Sequence, residues 1–358
     1  MTNTIADFAI IGSTPLARLL AGLLSSAHGR RVILVNQRQP SQRLPHSIDL
    51  SVAPVTRPES WALLGEGIAE VAKLLGRIAG RGALGHVDPI FFADDPRAIE
   101  ALSHIRQMAL GFGIAAEPTP PSLLGESRVG ITIRDALAFN HALCAPHLDA
   151  WLKKSGVERP WVEVINIADN GSAILHTEGI SYQARQTILA DDKAILEHLP
   201  QSQWPEILAP HAAATILTAP KRLLAAPVMV EIQSGLTLLK QDEGGVAAIG
   251  MESMAVFAAR VQGLLGQPGP LEQIGQIAFR AITTRDGAPA LGRVGGVGAD
   301  VVAGMGQTGV FMVPALARWL CDASTSAEAR WFGARLVSRT EMEAPVTEYS
   351  ACFQGVAQ

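Results

Sequence analysis

Two glycine-bearing turns hold the residues best placed for chemistry. The later one, Gly304-Met305-Gly306-Gln307-Thr308-Gly309, opens an apolar run with helical spacing over 310–321. A glycine-rich loop ahead of an apolar helix leaves backbone N–H groups free at the positive end of the helix dipole. That suits an anion or an electron-rich carbonyl. The earlier turn is Gly12-Ser13-Thr14-Pro15-Leu16-Ala17. In a dinucleotide fold the first glycine of such a turn allows the tight bend. The second lets the backbone approach a pyrophosphate, and a small third residue lets helix and strand pack closely. Gly12 and Ala17 meet the first and third demands; Thr14 stands at the second, where glycine is expected. A strand–turn–helix without any ligand would read the same way. Asn36 and Gln37 follow the next apolar run, where an acidic residue would hold ribose hydroxyls. Their amides accept hydrogen bonds without charge assistance, and a polar strand end is the plainer reading.

The elements that position these turns follow from the hydrophobic pattern. The run 8–11 predicts a buried strand, 15–25 a helix with Pro15 in its first turn, and 31–36 a second strand. Together they make a βαβ unit with parallel strands. Further helices are predicted over 61–78, 98–112, 131–154, 254–265 and 310–321. Strands are predicted over 91–93, 161–167, 173–176, 186–190, 225–239, 246–249 and 301–303. Asn170-Gly171 and Glu178-Gly179 mark turns of a meander.

Composition narrows the function classes. The chain has 358 residues, 48% of them hydrophobic and 17% charged, with a net charge of -4. It can bury a large core in two domains. It shows no basic stripe, so nucleic acid is a poor partner. Apolar runs are interrupted before ~18 residues, so no membrane span is expected. Cys144, Cys321 and Cys352 form no CxxC or Cys/His group. That argues against a metal site and fits a reducing cytoplasm. The first apolar run lacks a basic leader and reads as a strand rather than a secretory signal.

The stretch Thr284-Arg285-Asp286-Gly287-Ala288-Pro289-Ala290-Leu291-Gly292, followed by a strand, the 304–309 loop and a helix containing Pro314, resembles the closing motif of a known family. It is that of the FAD-dependent oxidases that include D-amino-acid oxidase, glycine oxidase and sarcosine oxidase. Three other segments resemble the family in order and spacing. His46-Ser47-Ile48-Asp49-Leu50-Ser51 matches its serine-containing loop beneath the flavin. Gly85-His86-Val87-Asp88-Pro89 with 90–93 matches the strand that opens its substrate domain, and Trp161-Val162-Glu163-Val164 the strand whose valine touches adenine.

The resemblance implies an α/β fold. A Rossmann-like FAD-binding domain (1–80, 132–204 and 275–358) is interleaved with a smaller α+β substrate domain (81–131 and 205–274) built on an antiparallel sheet. It implies FAD held by Gly12, Ser13, Thr14, Ala17, Asn36, Gln37, Ser47, Val164 and the residues from Gly304 to Gly309. It further implies oxidation of a C–N bond in a small amine or amino acid, with hydride passing to flavin N5. Arg280 is the expected partner of a substrate carboxylate, although it stands one residue out of register with the Thr284-Arg285-Asp286-Gly287 anchor. Departures fall at the ADP half: Thr14, Asn36, and Ala190-Asp191-Asp192 where the family shows Ala-Gly, with Asp192 expected on the pyrophosphate path. These departures motivate a second expectation, a flavin-free relative that serves as partner subunit or maturation factor of another oxidoreductase.

Overall fold

The computed structural model describes residues 5–36, 44–125, 127–220, 224–242, 244–265, 271–340 and 348. Gln37 lies outside the described residues.

The strand Ile5–Ile11 and the strand Val32–Val35 pair in parallel, as the βαβ pattern requires. Ser181–Leu189 joins Ile5–Ile11 on its other side, also in parallel, and Asp300–Ala303 continues the layer. Ala290–Arg293 closes one edge antiparallel, and the hairpin Val164–Ile167/Ala173–His176 extends from Ser181–Leu189 to give a seven-stranded sheet. Alternation divides its side chains between two cores. Phe8, Ile10, Val32 and Leu34 enter one, and Ala9, Ile11, Ile33 and Val35 the other. The first core is roofed by the helices Pro15–Ser26, Pro58–Ala79, His141–Lys154 and Gly309–Leu320. Gly309–Leu320 is apolar on almost every side because it is enclosed there. Helix Pro58–Ala79 meets it at Gly67, where a Cβ would stand 2.1 Å from the Phe311 carbonyl oxygen. Only glycine lets these backbones approach that closely.

The second layer is an eight-stranded sheet. Its order is Gln273–Thr284, Leu208–Thr218, Val246–Gly250, Thr237–Lys240, Val228–Glu231, Ile90–Ala93, Val129–Ile133 and Ala116–Pro118. Neighbours run antiparallel except where Ile90–Ala93 meets Val228–Glu231 in parallel. The expected class, a Rossmann-like layer interleaved with an antiparallel sheet, is therefore what the chain adopts. The long strand Gln273–Thr284 pairs with Leu208–Thr218 along its length, so a segment boundary at 275 falls inside a strand.

Two expected elements are corrected. The strand read over 225–239 is a hairpin of Val228–Glu231 and Thr237–Lys240, with Gly235 at φ 70 in the turn between them. The helix read over 131–154 begins only at His141, capped by the Asn140 side chain, which accepts the Leu143 N–H at 3.1 Å. The preceding residues form the strands Val129–Ile133 and Ala136–Phe139. Asp135 sits between them with φ 57, a left-handed bend that no helix tolerates. Among the described residues no helix is long and apolar enough to cross a membrane.

Candidate functional site

A cavity of about 580 Å³ opens between the C-terminal ends of the parallel strands and the face of the antiparallel sheet. Open α/β sheets place ligands at this edge. Ile11, Leu189 and Ala303 end three neighbouring strands, and the turns after them supply Thr14, Ala190 to Lys193, and Gly304 to Gln307 with Gly309 to the wall. Opposite stand Thr237, Ile249, Gly250 and the strand residues 279–284.

The 304–309 loop is tied from both sides. The Leu50 N–H donates to the Gln307 carbonyl oxygen at 2.7 Å, joining the loop to the segment carrying Ser47 and Asp49. The Gln307 side-chain Nε2 donates to Thr237 Oγ1 at 3.2 Å, joining it to the antiparallel sheet. Its Oε1 is buried with no hydrogen-bond partner, which leaves a free acceptor in a cavity-lining residue. Gly304 and Gly306 have φ 67 and φ 53, so both positions call for glycine. Met305 is buried and lines the cavity, whereas Thr308 turns away and donates to the Met305 carbonyl oxygen at 3.3 Å.

At the earlier turn, Thr14 caps helix Pro15–Ser26: its Oγ1 accepts the Ala17 N–H at 3.3 Å. Its backbone is extended, so the position has no conformational need for glycine. The carboxylate that reaches this turn belongs to Asp191. Its Oδ2 accepts the Ser13 N–H at 2.6 Å, and its Oδ1 accepts the Ala194 N–H at 2.9 Å, capping the helix Asp192–His198. This corrects the expectation that Asp192 crosses the pyrophosphate path. Asp192 accepts the Ile282 N–H instead and lines the cavity next to Asp191.

Removal from water pushes the Asp192 carboxyl from its ordinary 3.8 to about 7, with Asp191 adding repulsion and the Ile282 N–H opposing both. The folded chain thus holds this proton more tightly than the unfolded chain does. The group favours folding fully below its unfolded pKa, and the contribution is lost as pH rises through the folded value. Asp192→Asn should therefore leave stability little changed at about pH 3, below the unfolded value. At about pH 8 it should raise stability by roughly 1–3 kcal/mol, the cavity's residual water reducing the full linkage figure. Thermal unfolding of both proteins at the two pH values checks this; parallel pH profiles would refute it.

The remaining expected residues divide plainly. Ser47, Thr14, Arg280 and five of the six residues from Gly304 to Gly309 line the cavity. Gly12, Ser13 and Ala17 lie behind Asp191 at the turn; a Cβ on Gly12 would meet Ala17 Cβ and Asp191 Oδ2, both at 3.1 Å. Asn36 follows the strand Val32–Val35 and is not part of the cavity wall, and Val164 is 52% exposed at the start of its strand, away from the cavity. Two contacts had no sequence signal. His46 stacks on Phe279 with ring centroids 3.8 Å apart, and His141 Nε2 stands 2.9 Å from Asp49 Oδ2, an ion-pair distance without hydrogen-bond alignment. Among the described residues no group of His, Cys, Asp and Glu could hold a metal ion.

No family model and no curated protein matches the sequence. Solved structures do match in fold. Glycine oxidase from Geobacillus kaustophilus aligns at TM-score 0.68 and 16% identity over 91% of this chain and 97% of its own. L-proline dehydrogenase from P. horikoshii aligns at TM-score 0.71 and 16% identity over 92% and 96%. NikD, an amino acid oxidase essential for nikkomycin biosynthesis, aligns at TM-score 0.71 and 13% identity over 95% and 100%. This chain has the amino-acid oxidase fold. The resemblance read from its motifs holds across nearly the whole chain as a resemblance of fold. Within that amino-acid oxidase fold, the cavity walls are continuous from the 304–309 loop to the 46–49 segment, while at the glycine turn Thr14, Pro15 and Leu16 reach the wall and the Ser13 N–H is taken by a carboxylate of the chain itself.

Proposed function

We propose that the chain is an FAD-dependent oxidoreductase that oxidises a C–N bond of a small amine or amino acid bound in this cavity. The observation that carries the reading is the placement of the 304–309 loop and the N-terminus of helix Gly309–Leu320 across the cavity from the sheet strand bearing Arg280. Bound FAD would supply the acceptor for hydride from the carbon that bears the nitrogen.

The residues at the ring end suit a flavin. The free Gln307 Oε1 can accept from a ring N–H, and the loop's N–H groups with the helix dipole favour negative charge. Ser47 and Asp49 complete the floor. Arg280 would orient a substrate carboxylate, and the apolar residues Val230, Ile249 and Phe279 would exclude water around the reacting carbon. The structural relatives include enzymes named for glycine, L-proline and iminodiacetate, all small amino acids or imino acids.

The test is anaerobic mixing of the FAD-loaded protein with glycine, L-proline or iminodiacetate while the flavin absorbance is followed. Bleaching by at least one of them, or by another small amine, is the expected result. A loaded protein that no member of a broad amine and amino-acid panel reduces would overturn the proposal. The contact between Asp191 and the Ser13 N–H favours a second reading, a flavin-free relative acting as partner subunit or maturation factor. Under it, purified protein stays colourless and takes up no added FAD.

A further inference from the structure

In a dinucleotide fold the diphosphate rests on the backbone N–H groups of the glycine turn, at the positive end of the following helix. Here that place is filled from within the chain. Asp191 Oδ2 receives the Ser13 N–H at 2.6 Å, a charge-assisted length, and its other oxygen is held by the Ala194 N–H at 2.9 Å. The carboxylate therefore lies between the N-termini of Pro15–Ser26 and Asp192–His198, fixed by a donor from each side. The Thr14 hydroxyl is turned to the Ala17 N–H, so a second donor of the turn already has a partner. Gly12 is also packed against Asp191: its absent Cβ would stand 3.1 Å from Oδ2.

We infer that Asp191 is the specificity-determining residue for nucleotides in this chain: its carboxylate stands in for the diphosphate, so a flavin is held by its ring half and the ADP half adds no affinity. The flavin part of this inference rests on the function proposed above; the part concerning diphosphates does not. Two features of the contact support it. A diphosphate approaching the turn finds the Ser13 N–H taken, and it meets a like charge at contact distance. The cavity beyond Asp191 is lined by Asp192, Lys193 and Glu197, and Lys193 stands 3.6 Å from Glu197, so a diphosphate shifted sideways finds the neighbouring cation already paired with an acid.

The probes are ADP, riboflavin and FAD, titrated separately into the wild-type chain and into Asp191→Ser, with binding followed by calorimetry or flavin fluorescence. Serine keeps a hydroxyl for the Ala194 N–H and so preserves the helix cap, but it is too short to hold the Ser13 N–H. Wild type should show no measurable ADP binding and FAD and riboflavin affinities within about threefold of each other. Asp191→Ser should bind ADP measurably, gain roughly tenfold to a hundredfold in affinity for FAD, and gain nothing for riboflavin. Asp191→Asn, which keeps the shape and removes the charge, should gain less and guards against misfolding of the serine variant. ADP binding to wild type, FAD binding much tighter than riboflavin in wild type, or no gain for ADP in either variant would overturn the inference. If neither protein binds riboflavin or FAD while only the variants bind ADP, the inference stands and the flavin reading fails.

Discussion

Replacing Gly306 by valine is expected to abolish ligand binding in the cavity while leaving the fold intact. Gly306 opens a short 3-10 turn, Gly306–Thr308, with φ 53. A β-branched residue held in this left-handed region costs on the order of 1–3 kcal/mol in local strain. Its side chain would also enter the cavity, since Gly306 is exposed and lines the wall. The strain has little route into the core, because Met305, Thr308 and Gly309 behind it are buried and already packed. Distortion would instead fall on the neighbouring Gln307, whose carbonyl oxygen receives the Leu50 N–H and whose Nε2 reaches Thr237. Affinity for the ligand that occupies the cavity, FAD first, should fall about a hundredfold or more, roughly 3 kcal/mol. The melting temperature should shift by only a few degrees. Gly306→Ala, with a single methyl and less strain, should lie between the two. Calorimetric titration and thermal unfolding of the same samples check both halves, and undiminished affinity in Gly306→Val would remove this loop from the site.

Much of this site is written locally and was readable for that reason. The loop 304–309 declares itself by three glycines and the apolar helix behind it, and the structure places all of it but Thr308 on the cavity wall. The earlier turn was legible as a strand–turn–helix, and so in principle was the role of Thr14. A threonine before proline at a helix start is a capping signal, and the side chain does cap. Asp191 shows the limit of such reading. Two consecutive acids after a strand announce a charge near the turn, but only the helix start at Asp192 decides which carboxylate turns back to Ser13. The N-cap preference for aspartate was the one available hint. The strands Leu208–Thr218 and Gln273–Thr284 were not anticipated at all. Leu208–Thr218 is rich in alanine, a weak strand former, and its stability comes from pairing with a partner about seventy residues away in sequence. The stacking of His46 on Phe279 depends on the same long-range register.

That register also frames the second large effect, Arg280→Ala. Arg280 pairs with Ala212 in the strand Gln273–Thr284, lines the cavity, and is exposed. It makes no ion pair among the described residues. The other charges on the wall are Asp49, Asp191, Asp192, Glu197 and Lys193, and Lys193 already stands 3.6 Å from Glu197. A substrate carboxylate would therefore enter a cavity with an acidic surplus, and Arg280 is the cation left to receive it. A guanidinium can hold a carboxylate through two parallel hydrogen bonds, and a bond to a charged group is worth roughly 1.5–3 kcal/mol. Removing it should raise KM for carboxylated substrates about tenfold to a hundredfold while kcat changes little, since the interaction is present before the reaction as well as during it. Arg280→Lys, which keeps the charge and loses the planar fork, should recover part of the loss. A neutral amine should be handled equally by all three proteins. Steady-state kinetics with one carboxylated and one neutral amine separate the outcomes. Equal KM values for wild type and Arg280→Ala on the carboxylated substrate would show that Arg280 does not meet the substrate, and the cavity would then be better read as a site for neutral amines.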